Sequence, residues 1–286
     1  MNEVTGRPTV AYLGPSGTFT HQAVLALCPD ADAAPVGSQA EALGQVEAGR
    51  AEYAVLPIDN SVNGVVVPTL DSLLERPTLS IVDSAVVPIS FDAFTRDAGV
   101  EAHVVVSHPH ALAQCRGWIE QRGLLTREAV STAAACRDLV AGEIGIGPAI
   151  CASLYSLDVL ERAVEDNAAA FTQFALISTG ALPHRPVAAA GDDGLLVVIL
   201  PDNNVPGILR RLLGVLEDRG INMTNLVTRP VPATPGRFVF LLFLAGSFTA
   251  DDFAPMREEW AALGATARAV GRIAPLADLA DPRGSR

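Results

Sequence analysis

The sequence predicts an α/β protein, in which strands alternate with helices over residues 1–182 and a separate βαββαβ module follows at 193–275. Three observations carry this. Short apolar runs repeatedly end in Gly, Pro, Ser or Asn and hand over to apolar residues at helical spacing. A Pro- and Ala-rich stretch without periodicity, centred on Pro183-His184-Arg185-Pro186, interrupts that alternation and is read as a linker over 183–192. Beyond it come four apolar runs with two helical patterns between them, and a polar tail closes the chain at 276–286.

Taken in order, Pro8 to Leu13 reads as a buried strand ended by Gly14-Pro15, and Ser16-Gly17-Thr18 opens a helix through Ala23, Val24 and Leu27. Ala51 to Ile58 is a strand leading to Asp59-Asn60-Ser61, with a helix through Leu70, Leu73 and Leu74 beyond Gly64. Val104-Val105-Val106 ends at Ser107-His108-Pro109 before a helix carrying Leu112, Cys115 and Trp118. Ser131 caps a helix running through Ala135, Leu139 and Val140, and Gly145-Ile146-Gly147-Pro148 leads into a helix with Cys151, Leu154 and Tyr155. Such alternation predicts a parallel sheet with ligand groups at the carboxyl ends of its strands. Phe171-Thr172-Gln173-Phe174 then enters a last strand before the linker. In the second module, Leu195–Leu200 is a strand and Pro206-Gly207-Ile208-Leu209 opens a helix that Gly220 ends at C′. Strands over 221–227 and 237–243, a helix over 253–263 and a strand over 266–272 complete it.

The chain's 286 residues suggest two domains or three, and 49% hydrophobic with 18% charged residues is the composition of a globular protein. Its formal net charge is −12, and all 20 basic residues are Arg, so there is no basic footprint for nucleic acid or an anionic membrane. The 4 cysteines are widely spaced with no C-x-x-C, which predicts reduced thiols and a cytoplasmic location. No export signal and no membrane span is legible, and nothing in the sequence asks for a cofactor or metal.

The hydroxyls of Ser16, Thr18, Ser61, Ser107 and Ser131 stand where helices are expected to begin. One such residue alone is an N-cap contributing about 1 kcal/mol. Several converging on one crevice present N–H groups and positive dipole ends suited to a dianionic ligand. His21, His108 and His110 lack an orienting carboxylate nearby in sequence, which argues against a nucleophilic triad.

Residues 14–20 (Gly-Pro-Ser-Gly-Thr-Phe-Thr), Pro57-Ile58-Asp59-Asn60-Ser61 with Gly64, Ser107-His108-Pro109 and Thr172-Gln173-Phe174 together closely resemble the prephenate dehydratase family. Residues 206–209 and Thr228-Arg229-Pro230 resemble the effector motifs of the ACT domain that often follows. The resemblance implies a two-lobed catalytic domain like a type II periplasmic binding protein, with substrate in the cleft, and a ferredoxin-like ACT domain after it. It also implies that Thr172 assists loss of the ring hydroxyl. Ser16, Thr18, Asn60, Ser61, Ser107, Ser131, Gln173 and Phe174 would hold prephenate. Gly207, Ile208, Leu209, Thr228, Arg229 and Pro230 would meet an amino-acid effector, and ACT pairing would give a homodimer or homotetramer.

This chain departs from the family pattern at four places. Gln173 stands for the Arg after the threonine, Asp59 for a Glu, Ala170 for an Asn, and Val227-Thr228 for Glu-Ser in the ACT motif. A guanidinium missing beside a reacting centre would slow water loss. The sequence reading therefore favours a non-aromatising prephenate decarboxylase of specialised, antibiotic-type metabolism, with prephenate dehydratase as the alternative. A catalytically dead amino-acid sensor is the third reading, disfavoured because Thr172 is retained.

Overall fold

The computed structural model describes residues 6–167, 169–179, 194–231 and 234–274, so the linker expected at 183–192 and the tail at 276–286 lie outside the described residues. The chain divides into two compact units, with boundaries after Ser72, Ser84 and Phe174. Residues 73–84 belong with the C-terminal unit, an association that nothing local in the sequence announces.

In the first unit, strand β1 (Thr9–Leu13) buries Val10, Ala11 and Tyr12 completely. A cis Gly14-Pro15 bond follows it, and Thr18 caps helix α1 (Phe19–Leu27). Next come β2 (Asp32–Val36), α2 (Gln39–Glu47) and β3 (Tyr53–Asn60), with β1 pairing in parallel to both β2 and β3. Parallel neighbours require crossovers, which α1 and α2 supply. Strand β4 (Gly64–Val65) folds back on Asp59 and Asn60; α3 (Val67–Leu74) and β5 (Leu79–Pro88) come next, each straddling a unit boundary.

A second sheet in this unit is built from β6 (Asp92–Thr95), β7 (Val104–Ser107), β8 (Leu125–Glu128), β9 (Glu143–Gly147) and β10 (Asp158–Glu161), in the order β10-β6-β9-β7-β8. Its helices are α4 (Pro109–Gln114), α5 (Arg116–Gln121), α6 (Thr132–Arg137) and α7 (Ile150–Tyr155). The sheet is mixed rather than wholly parallel as expected: β7 is parallel to β8 and β9, whereas β6 is antiparallel to β9 and β10. The single helix expected through Leu112, Cys115 and Trp118 is two, because Cys115 at φ −113° and ψ 19° leaves helical geometry. Likewise α6 stops at Arg137, short of Leu139 and Val140. Phe91, Val105, Cys115, Trp118, Ile144 and Ile146 form one buried cluster here. Strand β11 (Phe171–Thr179) follows.

The second unit contains β12 (Gly194–Pro201), α8 (Ile208–Glu217), β13 (Met223–Pro230), β14 (Phe238–Ala245), α9 (Ala250–Ala262) and β15 (Ala265–Ile273), in βαββαβ order. Strands β13, β14, β12 and β15 pair antiparallel in that sequence. Trp260 is fully buried among Leu195, Val197, Leu212 and Met256, and its indole N–H donates to the Leu212 carbonyl at 2.9 Å. Gly220, at φ 63°, lies one position beyond the C′ site expected for it, since the cap is Asp218. Strand β15 touches β5 at Gly271 and Ile81, where a Cβ on residue 271 would stand 2.0 Å from the Ile81 oxygen; only glycine fits. Arg268 donates to the carbonyls of Leu79 and Leu73, which secures residues 73–84 to this unit.

Among the described residues no helix is long and apolar enough to cross a membrane, and no group of three His, Cys, Asp or Glu could hold a metal ion.

Candidate active site

Two clusters in the first unit carry most of the residues singled out from the sequence. The first is the loop between β1 and α1. Thr18 accepts the His21 amide as N-cap and donates its hydroxyl proton to the Pro15 carbonyl at 3.1 Å. Ser16 Oγ bonds to the Tyr12 hydroxyl at 3.0 Å. Gly17 takes φ 89°, and its N–H donates to His21 Nδ1 at 3.1 Å. Burial holds the His21 imidazole below its ordinary pKa, which keeps that nitrogen an acceptor, and the ring stacks on Tyr12 at 5.1 Å. From α7, the Tyr155 hydroxyl donates to the Ser16 carbonyl at 2.6 Å and Cys151 Sγ to the Gly17 carbonyl at 3.4 Å. A cavity of about 570 Å³ opens beside this loop, lined by Gly14, Pro15, Ser16, Pro35, Arg137 and Tyr155 among others.

The second cluster joins the end of β3 to the start of β11. Asn60 Nδ2 donates to Thr172 Oγ1 at 2.7 Å, across 112 residues of sequence. The amide cannot be turned round without loss, because Asn60 Oδ1 accepts the backbone N–H groups of Val62 and Asn63 at 3.0 and 2.9 Å. With its oxygen accepting from Asn60, the Thr172 hydroxyl retains its own proton to donate to another acceptor. Ser61 fixes the same junction twice: its N–H donates to the Phe171 carbonyl at 3.0 Å and its Oγ accepts the Phe171 N–H at 2.9 Å.

Three residues expected to touch substrate are placed otherwise. Ser107 is fully buried and donates its hydroxyl to the Ile146 carbonyl at 2.6 Å, bridging β7 and β9; the cap of α4 is His108 instead. Phe174 is 2% exposed and belongs to the packed interior. Gln173 is 0% exposed, and strand alternation turns it to the face of β11 opposite Thr172. Ser131 keeps its expected place as the cap of α6, accepting the Ala134 N–H at 3.0 Å. Tyr12 and Tyr155 carry no site assignment from the sequence; Tyr155 meets Ser16 across 139 positions, so no local pattern could reveal it.

In the second unit, Gly207, Ile208 and Leu209 line a cavity of about 450 Å³ with Asn204, Val205 and Phe240. Thr228 and Arg229 lie on β13 opposite Phe240 and Val239, and Pro230 lies opposite Phe238.

The family model for prephenate dehydratase matches residues 10–181. The chain belongs to the prephenate dehydratase family. Its relatives include the prephenate dehydratase of Mycolicibacterium vanbaalenii, 36% identical over 261 residues, with 84% of this chain and 82% of that protein covered. The prephenate dehydratase of Amycolatopsis methanolica is 36% identical over 283 residues, covering 93% and 91%. Among solved structures, the Arthrobacter aurescens prephenate dehydratase in complex with L-Phe aligns with a TM-score of 0.80 at 33% identity, over 93% of this chain and 90% of that one. A structure described as a novel type of quorum quenching acylase aligns at 0.82 and 26% identity, over 96% and 100%. The family model ends before the βαββαβ module, whereas the alignment to the Arthrobacter prephenate dehydratase includes most of it.

Proposed function

We propose that this protein is a prephenate dehydratase, expelling carbon dioxide and water from prephenate to give phenylpyruvate. The observation that carries the reading is the Asn60–Thr172 bond, in which an amide held by two backbone N–H groups donates to Thr172 Oγ1 and leaves the threonine its own proton to give. In the reaction the departing carboxylate leaves its bonding pair in the ring, the double bonds shift, and hydroxide leaves from the far carbon. Little is required of the protein except to hold the carboxylates, exclude water and stabilise the leaving oxygen. Thr172 donates to that oxygen as it departs, which has its largest effect when negative charge develops there. Ser16, Thr18, Ser61 and Ser131, with the N–H groups at the start of α1, hold the substrate in a cleft like that of a periplasmic binding protein.

The decarboxylase reading draws on the departures beside Thr172 and in the effector motif at Val227-Thr228. Strand alternation turns Gln173 away from Thr172, and the relatives named above are dehydratases, so the better-supported product is phenylpyruvate. Incubation with prephenate followed by alkali tests this. Strong near-ultraviolet absorbance from phenylpyruvate at ordinary turnover is expected; consumption of prephenate without it would restore the decarboxylase.

The C-terminal module is read as an ACT-type regulatory domain. Its support is the cavity lined by Gly207, Ile208 and Leu209 and the L-Phe complex of the Arthrobacter relative. An aromatic amino acid bound there contacts the N-terminus of α8, and such modules pair into a homodimer or homotetramer. Calorimetry with L-Phe and light scattering check the two statements separately.

A further inference from the structure

The junction that presents Thr172 has a second face, and two departures from the family pattern meet on it. Strands β3 and β11 are hydrogen-bonded neighbours. Ser61 is bonded to Phe171 and Asn60 to Thr172, so moving back along β3 moves forward along β11; the strands run antiparallel here, and the next pair in register is Asp59 with Gln173. Side chains directly opposite in an antiparallel pair share a face, and successive positions alternate. Asn60 and Thr172 therefore meet on one face, and Asp59 and Gln173 meet on the other. Both are interior, at 6% and 0% exposed. Asp59 Oδ1 also accepts the Asn60 N–H at 2.9 Å, tying the acid to the residue that orients Thr172.

We infer that Asp59 and Gln173 are a matched positioning pair, a buried acid facing a buried amide, which sets the register of β3 against β11 and so places Asn60 on Thr172. The inference rests on the dehydratase reading for what Thr172 does, and on strand register for the pair itself. It gives the two departures one cause: each side chain sits against the other, so a change in one is accommodated by a change in its partner. An amide suits this place because its N–H groups can donate to a buried carboxylate without bringing a second buried charge. Their role is to position Thr172 through Asn60.

The experiment is a role swap with near-isosteric variants. Gln173→Glu sets two carboxyl groups face to face, which disfavours their shared ionisation. It is expected to lower kcat at least tenfold with KM for prephenate within about twofold, because the substrate-holding groups are untouched. Asp59→Asn combined with Gln173→Glu restores an acid facing an amide with the roles exchanged. That double variant is expected to recover kcat to within about threefold of the natural enzyme, the mark of direct coupling between neighbours. A double variant as poor as the product of the two single effects would overturn the pairing. The same four proteins followed by thermal melting give the coupling without reference to activity. If the natural protein made no phenylpyruvate, the dehydratase reading would fail, and the melting cycle would still decide the pair.

Discussion

The two clusters of the first unit use similar residues in opposite ways. In the 14–18 loop the hydroxyls are engaged locally: Thr18 bonds to Pro15 and His21, and Ser16 to Tyr12, all within four positions. At the β3–β11 junction the decisive bonds span 110 to 112 residues, and Asn60 donates to Thr172 Oγ1, so the threonine keeps its own proton to give. The loop is a shaped cradle whose hydroxyls support its own backbone. The junction is a device that aims a single donor. Holding charge needs many fixed dipoles, and assisting a departing oxygen needs one well-placed proton.

Four results would break or sharpen this contrast. Thr172→Ala should cause the largest loss, about 10²- to 10³-fold in kcat, the usual cost of removing a donor at developing charge. Steady-state kinetics with the protein's melting temperature as control checks it, and a loss confined to KM would move Thr172 into the holding group. Gly17→Ala should come next. A Cβ there would stand 3.1 Å from the Tyr155 hydroxyl and 3.3 Å from the Ala133 Cβ, in a backbone region at φ 89° that L-residues avoid. About 1–2 kcal/mol of stability and a rise in KM are expected, read by denaturant unfolding and kinetics together.

Ser107→Ala separates structure from substrate contact. Losing the buried bond to the Ile146 carbonyl should cost about 1–3 kcal/mol by chemical denaturation while KM stays put. A raised KM at unchanged stability would return Ser107 to the site. The smallest effect concerns pH. His21 is held below its ordinary value by burial, so the unfolded chain binds the proton more readily. Its contribution to stability is present above the unfolded pKa near 6.5 and is lost as pH falls through the lower folded value. Replacing His21 with Gln should flatten that part of the melting profile; an unchanged slope would remove His21 as its source.

Much of this was legible residue by residue. Strand β1 into the cap at Thr18, β3 into Asp59-Asn60-Ser61, the cap at Ser131 and the βαββαβ order all announce themselves through apolar period, turn residues and capping chemistry. These signals are local and survive in the chain taken alone. Strands β8 and β10 escaped because their residues are mostly exposed and carry no alternation to read. The break at Cys115 escaped because the apolar spacing continues through it.

The sequence by itself determined which residue types stand at the turns, which runs can be buried, and the family to which the chain belongs. Only the tertiary structure decided which of those residues meet. It withdrew Ser107 into a sheet, buried Gln173 completely and brought Asn60 to Thr172. The physical reason is that caps and turns are settled within a few residues. A side chain's face on a strand, and the partner across from it, are settled by register between segments more than a hundred positions apart.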